Sequence, residues 1–212
     1  MKVVLISVYD DYATGPRFWA AYLKAKGHDV YLLNLKTFVV KLFSYDTNEL
    51  AEFYKTSNAT PLEEVRTDGI ILCPYPTPVT EIEKKLLIDK LQEIKSDVVG
   101  FTVTSLDINL MKELTRNVKK EFPSVPIIWG GIHPTIAPEE TIEAEDVICI
   151  GEGEEPLLEF VNAPERTDIR NLWFKKNGNI IRNELRPLEQ NLDLLPMPIY
   201  GTHICISYKI IS

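Results

Sequence analysis

Histidine and cysteine are scarce in this sequence, three of each, and the scarcity excludes a good deal. Cys73, Cys149 and Cys205 lie far apart, and neither C-x-x-C nor C-x-x-x-C-x-x-C spacing occurs. No zinc site or iron–sulfur cluster can be assembled locally from them. Cys73 and Cys149 sit in apolar runs and read as buried small hydrophobes in a reducing compartment, so a cytoplasmic location is expected. Positive charge is also in deficit: 23 Lys and Arg stand against 31 Asp and Glu, a net charge of −8. That balance argues against a nucleic-acid partner, whose phosphates call for a basic surface. At the N-terminus a single Lys2 precedes a short apolar run and then acidic residues, so neither a membrane span nor a secretory leader is expected. The phosphate-loop signatures G-x-x-x-x-G-K-[ST] and G-x-G-x-x-G are absent as well.

What is present is an alternation of short apolar runs and helical faces. The chain has 212 residues, 45% hydrophobic and 25% charged, enough for one α/β domain with an appendage. Residues 2–8 read as a buried parallel strand. Phe18, Trp19, Tyr22, Leu23 and Ala25 recur at helical spacing after Gly15-Pro16, and Gly27 ends that helix. Residues 29–34 form the second strand. The stretch 36–68 reads as an insertion, with a short helix over 49–54. Residues 69–73 predict an additional strand at the edge of the main sheet, stopped by Pro74, Pro76 and Pro78. Beyond Thr80, strands are predicted at 97–103, 125–130 and 146–150. The helices between and after them fall at 82–94, 106–122, 138–144 and 154–161. Five strands alternating with helices fit a doubly wound parallel sheet of flavodoxin-like (Rossmann-like) order. After Asn162 the texture changes. Residues 172–182 predict a C-terminal β-hairpin across Asn177-Gly178, and Pro187 to Pro198 an extended linker. The expected division is 1–162 for the α/β domain and 163–212 for the hairpin and linker.

Four segments at the carboxyl ends of strands carry the chemistry, where open parallel sheets bind ligands. The first is Asp10-Asp11-Tyr12-Ala13-Thr14-Gly15, read as D-x-Y-x-x-G; a plain strand–helix connection is the alternative. The second is Thr104-Ser105-Leu106, whose hydroxyls either meet a ligand or cap the following helix, two roles that are compatible. The third is Gly130-Gly131-Ile132-His133-Pro134-Thr135, where bare backbone lets a flat, bulky ligand approach. His133, expected in an extended segment before Pro134, is a metal-ligand candidate, a ligand contact or ordinary loop structure. The fourth is Gly151-Glu152-Gly153-Glu154. Its carboxylates would repel phosphate, and Glu154 suits the start of a helix. From Leu106 to Gly130 there are 23 intervening residues, 107 to 129, room for one helix and one strand.

These segments resemble the N-terminal cobalamin-binding domain of B12-binding radical S-adenosylmethionine enzymes. D-x-Y-x-x-G has the shape of that family's D-x-H-x-x-G loop with Tyr12 in place of histidine, and Thr104-Ser105-Leu106 resembles its S-x-L segment. Gly130-Gly131 resembles its paired glycines. The hairpin and Leu194-Leu195-Pro196-Met197-Pro198 resemble the stretch that precedes the radical barrel. The resemblance implies a cobalamin contacted by Asp10, Asp11, Tyr12, Gly15, Thr104, Ser105, Leu106, Gly130, Gly131, Ile132, His133, Gly151, Glu152, Gly153 and Glu154. It implies the base-off form, with no axial histidine on cobalt and no catalytic residue on this chain. It further implies a C-terminal radical SAM domain in the full-length parent, where a [4Fe-4S] cluster and S-adenosylmethionine act on a small-molecule or peptide substrate, many members being methyltransferases. Lacking C-x-x-x-C-x-x-C, this chain is expected to be inactive alone. Two alternatives stand beside this reading: a flavodoxin-like docking or regulatory module that no longer binds cobalamin, and a small corrinoid carrier. The carrier would need no downstream tether.

Overall fold

The computed structural model describes residues 1–9, 13–37, 39–44, 52, 65–67, 70–75, 77–200 and 203–205. The short apolar runs become the strands of one sheet. These are β1 (Lys2–Tyr9), β2 (Asp29–Thr37), β6 (Val98–Thr102), β7 (Ile127–Gly130) and β8 (Val147–Cys149). All five are parallel and lie in the order β8-β7-β6-β1-β2. In chain order that is 2-1-3-4-5, the flavodoxin-like arrangement. The hairpin β9 (Leu172–Lys176) and β10 (Asn179–Arg182) extends the sheet antiparallel beyond β8. At the opposite edge β11 (His203–Cys205) pairs parallel with β2. The hairpin turns at Asn177 and Gly178, both at positive φ (53° and 77°). Asn-Gly tolerates that pair of conformations better than other dipeptides.

Side-chain alternation along β1 explains why the sheet is covered on both faces. Val4, Ile6 and Val8 face one core with Leu87, Leu91, Met111, Leu114 and Trp129. Val3 and Leu5 face the other with Trp19, Leu23, Leu157 and Phe160. Helices α2 (Glu81–Ile94) and α3 (Ile108–Glu121) therefore cover the first face, and α1 (Thr14–Ala25) and α6 (Glu154–Asn162) the second. Each such fully buried side chain contributes about 1.5–3 kcal/mol relative to exposure. The buried Trp129 satisfies its indole N–H on Thr115 Oγ1 at 2.9 Å, as an indole in a core requires.

The start of α2 is a capping box. Thr80 Oγ1 accepts from Glu83 N at 3.3 Å, and Thr80 N donates to Glu83 Oε2 at 2.7 Å. Burial alone would raise the Glu83 carboxyl, but the Thr80 N–H and the Lys36 ammonium at 3.0 Å outweigh it and hold the pKa below normal.

The insertion differs from the sequence expectation. β3 (Val39–Ser44), β4 (Val65–Thr67) and β5 (Ile70–Tyr75) form a separate antiparallel sheet of order β3-β5-β4, so residues 69–73 are not an edge of the main sheet. Pro74 lies within β5 instead of ending it. β4 pairs with β5 only at Ile70, Ile71 and Leu72, whereas β3 runs alongside as far as Tyr75. Pro74 therefore sits where β5 has one partner strand, and an edge position tolerates a missing N–H. The helix expected over 49–54 lies, except for Glu52, outside the described residues.

Between β7 and β8 the chain forms two short helices, α4 (Ile132–Ile136) and α5 (Pro138–Ala144). His133 and Pro134 are thus helical, not extended. Pro134 is the third residue of α4, where an N–H has no intrahelical partner to lose. The linker is not wholly extended either, since Leu192–Leu194 makes one 3₁₀ turn. No helix among the described residues is long and apolar enough to cross a membrane.

Candidate functional site

Because the five core strands are parallel, their carboxyl ends share one edge of the sheet. A cavity of about 540 Å³ opens there. Gly15, Pro16 and Trp19 of α1 form one wall. Thr102 and Thr104 come from the end of β6, and Gly131, Ile132 and Thr135 from the β7–α4 turn. Gly151, Glu152, Gly153 and Glu154 come from the β8–α6 turn, and Leu188 closes the rim from the linker. No Lys or Arg is among the described residues lining it. The rim is apolar, with Ile132 62% and Leu188 66% exposed. Such a lining suits a broad, uncharged, partly apolar ligand and disfavours a phosphate.

Hydrogen bonds between the turns fix the shape. Thr104 N donates to Asp107 Oδ1 at 2.8 Å. Burial pushes the Asp107 carboxyl up to about 6, against the opposing bonds from the Thr104 N–H and hydroxyl. The N-cap of α3 is Asp107, with no side-chain capping bond, so the capping role expected for Thr104 or Ser105 is not realised. Ser105 Oγ instead lies 3.0 Å from His133 Nδ1. His133 is buried, its N–H donates to Val103 O at 3.1 Å, and its Nε2 has no partner among the described residues. The Thr135 hydroxyl joins two turns: it donates to Gly131 O at 2.9 Å and accepts from Gly151 N at 3.0 Å. The β8–α6 turn is held from behind by Asn171, whose Nδ2 donates to Glu152 O at 2.9 Å. Glu152 Oε2 in turn accepts from Glu189 N at 2.9 Å, which ties the linker to the cavity. Glu154 is the first residue of α6. Burial raises its carboxyl pKa, aided by the Glu152 charge and opposed by bonds from backbone N–H groups.

Gly131 has φ 105° and ψ −163°. A Cβ there would stand 3.0 Å from Val103 O and 3.1 Å from Val103 N. This glycine is demanded by the close passage of β6, before any ligand is considered. Gly130 and Gly153 have a different neighbour. A Cβ on either would collide with the Trp19 indole, which lies across both.

Of the residues singled out in the sequence, Gly15, Thr104, Gly131, Ile132, Gly151, Glu152, Gly153 and Glu154 converge on the cavity. Ser105, Leu106, Gly130 and His133 do not line it. Leu106 is exposed beside it, Gly130 lies buried under the indole, and His133 stands behind Ser105. Asp10, Asp11 and Tyr12 fall outside the described residues. Sequence reading missed Trp19 as a wall of the cavity, along with the bridging Thr135 and the supporting Asn171. Asn171 carried no signal short of its positive φ of 70°. Trp19 was visible only as one apolar position of a helix.

A 2-1-3-4-5 parallel sheet with a glycine-rich cavity at its carboxyl edge defines a ligand-binding α/β domain of flavodoxin-like fold. Residues 59–161 match the family model described as the B12 binding domain. Two curated relatives are similar in sequence. An uncharacterized methyltransferase of Pyrococcus horikoshii, PH0819, is 32% identical over 129 residues, 56% of this chain and 28% of that protein. The anaerobic magnesium-protoporphyrin IX monomethyl ester cyclase of Cereibacter sphaeroides is 28% identical over 122 residues, 53% of this chain and 20% of that protein. In three dimensions 94% of the chain superposes on 31% of the radical S-adenosylmethionine methyltransferase TsrM from Kitasatospora setae, solved with cobalamin and a [4Fe-4S] cluster. The TM-score is 0.53 at 16% identity, a likeness of fold. The chain spans less than a third of the length of each of these curated relatives.

Proposed function

We propose that this chain is the corrinoid-binding part of a cobalamin-dependent radical S-adenosylmethionine enzyme, and that it presents the cofactor for methyl transfer. The observation that carries the reading is the cavity itself: bare backbone at Gly131, Gly151 and Gly153, an apolar rim and no basic lining, largely within the segment that matches the B12 binding domain family. The residues fit the group. Ile132 and Leu188 would offer apolar contact to a flat macrocycle, and the hydroxyls of Thr102 and Thr104 and the backbone of the Gly151–Glu154 turn would offer partners to its peripheral amides. When bound, cobalamin supplies a cobalt able to carry a methyl group. The chain's own residues bind it, orient it and shield one face. Ser105 Oγ lies 3.0 Å from Nδ1 of the buried His133, which supports a corrinoid without histidine ligation; the base-off form is the state this reading expects. In this reading residues 1–162 hold the cofactor. Residues 163–212 lead toward a radical SAM domain of the parent, which contributes the [4Fe-4S] cluster, S-adenosylmethionine and the contacts to a small-molecule or peptide substrate.

The test is reconstitution with hydroxocobalamin followed by gel filtration and a visible spectrum. Stoichiometric corrinoid eluting with the protein is the expected result. Corrinoid that elutes entirely free would end this reading and favour a docking or regulatory module.

A further inference from the structure

Residues 187–198 run past the cavity between two firm anchors, and a single bond fastens them to its wall. At the near end Arg186 is pinned three times. Its N–H donates to Asn171 Oδ1 at 2.6 Å, and its guanidinium pairs with Glu155 and Glu159 of α6. At the far end Ile199 packs against the second core. Its carbonyl accepts from Nη1 of the buried Arg17 at 2.7 Å, and the same guanidinium lies 5.1 Å from the centre of the Tyr200 ring. Between the anchors, the bond from Glu189 N to Glu152 Oε2 at 2.9 Å is the one hydrogen bond to the rest of the domain among the described residues. The other bonds of the stretch are local: Gln190 Nε2 to Leu188 O, Asn191 N to Glu189 Oε1, Asp193 N to Asn191 Oδ1, and the 3₁₀ turn. No residue of 187–198 is buried. Both anchors border the cavity. Arg17 follows Pro16, and Glu155 follows Glu154, each of which lines it.

One exposed hydrogen bond adds little net stability. A segment with no buried side chain opens locally far more readily than the strands beneath it. The bond at Glu189 therefore breaks while the anchors at Arg186 and Ile199 hold. Leu188, on the cavity rim, stands next to that bond, so its release draws Leu188 off the rim and widens the mouth. We propose that residues 187–198 are a gate, hinged at Arg186 and Ile199 and latched on Glu152, that swings aside to admit the corrinoid and closes behind it. Glu152 then acts through the strap as a positioning residue. It sets how fast the ligand exchanges and has little effect on how tightly the ligand is held. This rests on the corrinoid reading of the cavity.

The experiment uses the 212-residue chain and two variants that cut the latch from opposite sides. Glu152→Ala removes the acceptor. Glu189→Pro removes the donor N–H and leaves Glu152 in the cavity. Glu152→Gln keeps an oxygen that can accept. Without ligand, limited digestion with chymotrypsin reads the opening. Cleavage after Leu192 and Leu194 is expected roughly 3- to 10-fold faster in both latch variants, the worth of one hydrogen bond, and near the wild-type rate in Glu152→Gln. With hydroxocobalamin, stopped-flow quenching of tryptophan emission reads exchange. Association and dissociation are both expected to quicken by the same factor in the two variants, so that the dissociation constant moves by less than about threefold. Association that is unchanged or slower makes the segment a fixed wall and overturns the gate. A change confined to Glu152→Ala makes Glu152 a direct ligand contact and overturns it as well, and so does wild-type cleavage in both latch variants. A folded wild type whose emission the corrinoid does not quench overturns the corrinoid reading itself, a different result from binding with the wrong rates.

Discussion

Asn171 grips Glu152 from 19 positions away: its Nδ2 donates to the Glu152 carbonyl at 2.9 Å, and its Oδ1 accepts from Arg186 N at 2.6 Å. The residue is 4% exposed and has φ 70°. Asn enters the left-handed region more readily than most residues. Asn171→Ala removes both bonds and adds backbone strain, so a loss of about 2–4 kcal/mol is expected in urea unfolding. Asn171→Gly removes the same bonds without the strain and is expected to cost about 1 kcal/mol less. Equal losses in the two variants would count against the backbone part of this account.

Gly131→Ala is expected to weaken the fold itself by about 1–3 kcal/mol, because the backbone lies in a region close to glycine-only and the Cβ meets the Val103 backbone. Gly15 is the control from the same cavity. Nothing lies within 4 Å of a Cβ placed there, and Gly15 is the second residue of α1. Gly15→Ala is expected to leave stability unchanged or raise it by up to about 1 kcal/mol. Thermal melts of the two variants check both expectations, and a Gly131→Ala melt indistinguishable from wild type contradicts the first.

Asp107 makes stability depend on pH. Its carboxyl is raised from 3.8 to about 6 in the fold, chiefly by burial. The native state then holds a proton that the unfolded chain has released between those values. The contribution to stability is full below about pH 4 and is lost as pH rises through about 6. The amount is on the order of 1–3 kcal/mol. Comparing urea midpoints of wild type and Asp107→Asn at pH 4.5 and 7 isolates this group. The difference between the two proteins should shift in the asparagine's favour at the higher pH, and a constant difference would refute the assignment.

Tyr12 stands in the sequence where a histidine-on cobalamin loop carries its imidazole. A phenol with a reference pKa of about 10 is neutral near pH 7 and a weak donor to cobalt. The Co(II) form of the reconstituted protein is expected to give an electron paramagnetic resonance spectrum without threefold nitrogen splitting, in wild type and in Tyr12→Phe alike. Threefold splitting in wild type would place a nitrogen ligand on the metal.

Much of the framework is legible because burial imposes a period. Apolar runs such as Val98-Val99-Gly100-Phe101 have no polar alternation, since helices cover both faces, and the Asn177-Gly178 turn follows from positive φ at two consecutive positions. The separate sheet of β3, β5 and β4 was not legible, because Pro74 reads locally as a stop. Whether a missing N–H matters depends on how far β4 extends alongside, which no local pattern encodes. His133-Pro134 misled for a related reason: the bias against helix before proline gives way in the first turn of α4. At the cavity the loops could be located by their position after strands. Their glycines, though, read as space for a ligand, whereas two of them make space for Trp19, a contact between residues more than a hundred positions apart.

The orientation of β11 sets the direction in which the chain leaves the sheet. It lies parallel to β2, with His203 opposite Leu32 and Cys205 opposite Asn34, so the chain there travels in the same sense as the five core strands. β11 therefore points toward the edge of the sheet at which the cavity opens. An antiparallel return would have sent it to the far pole. A chain that leaves β11 in the strand's own direction leaves on the side of the sheet where the cavity opens.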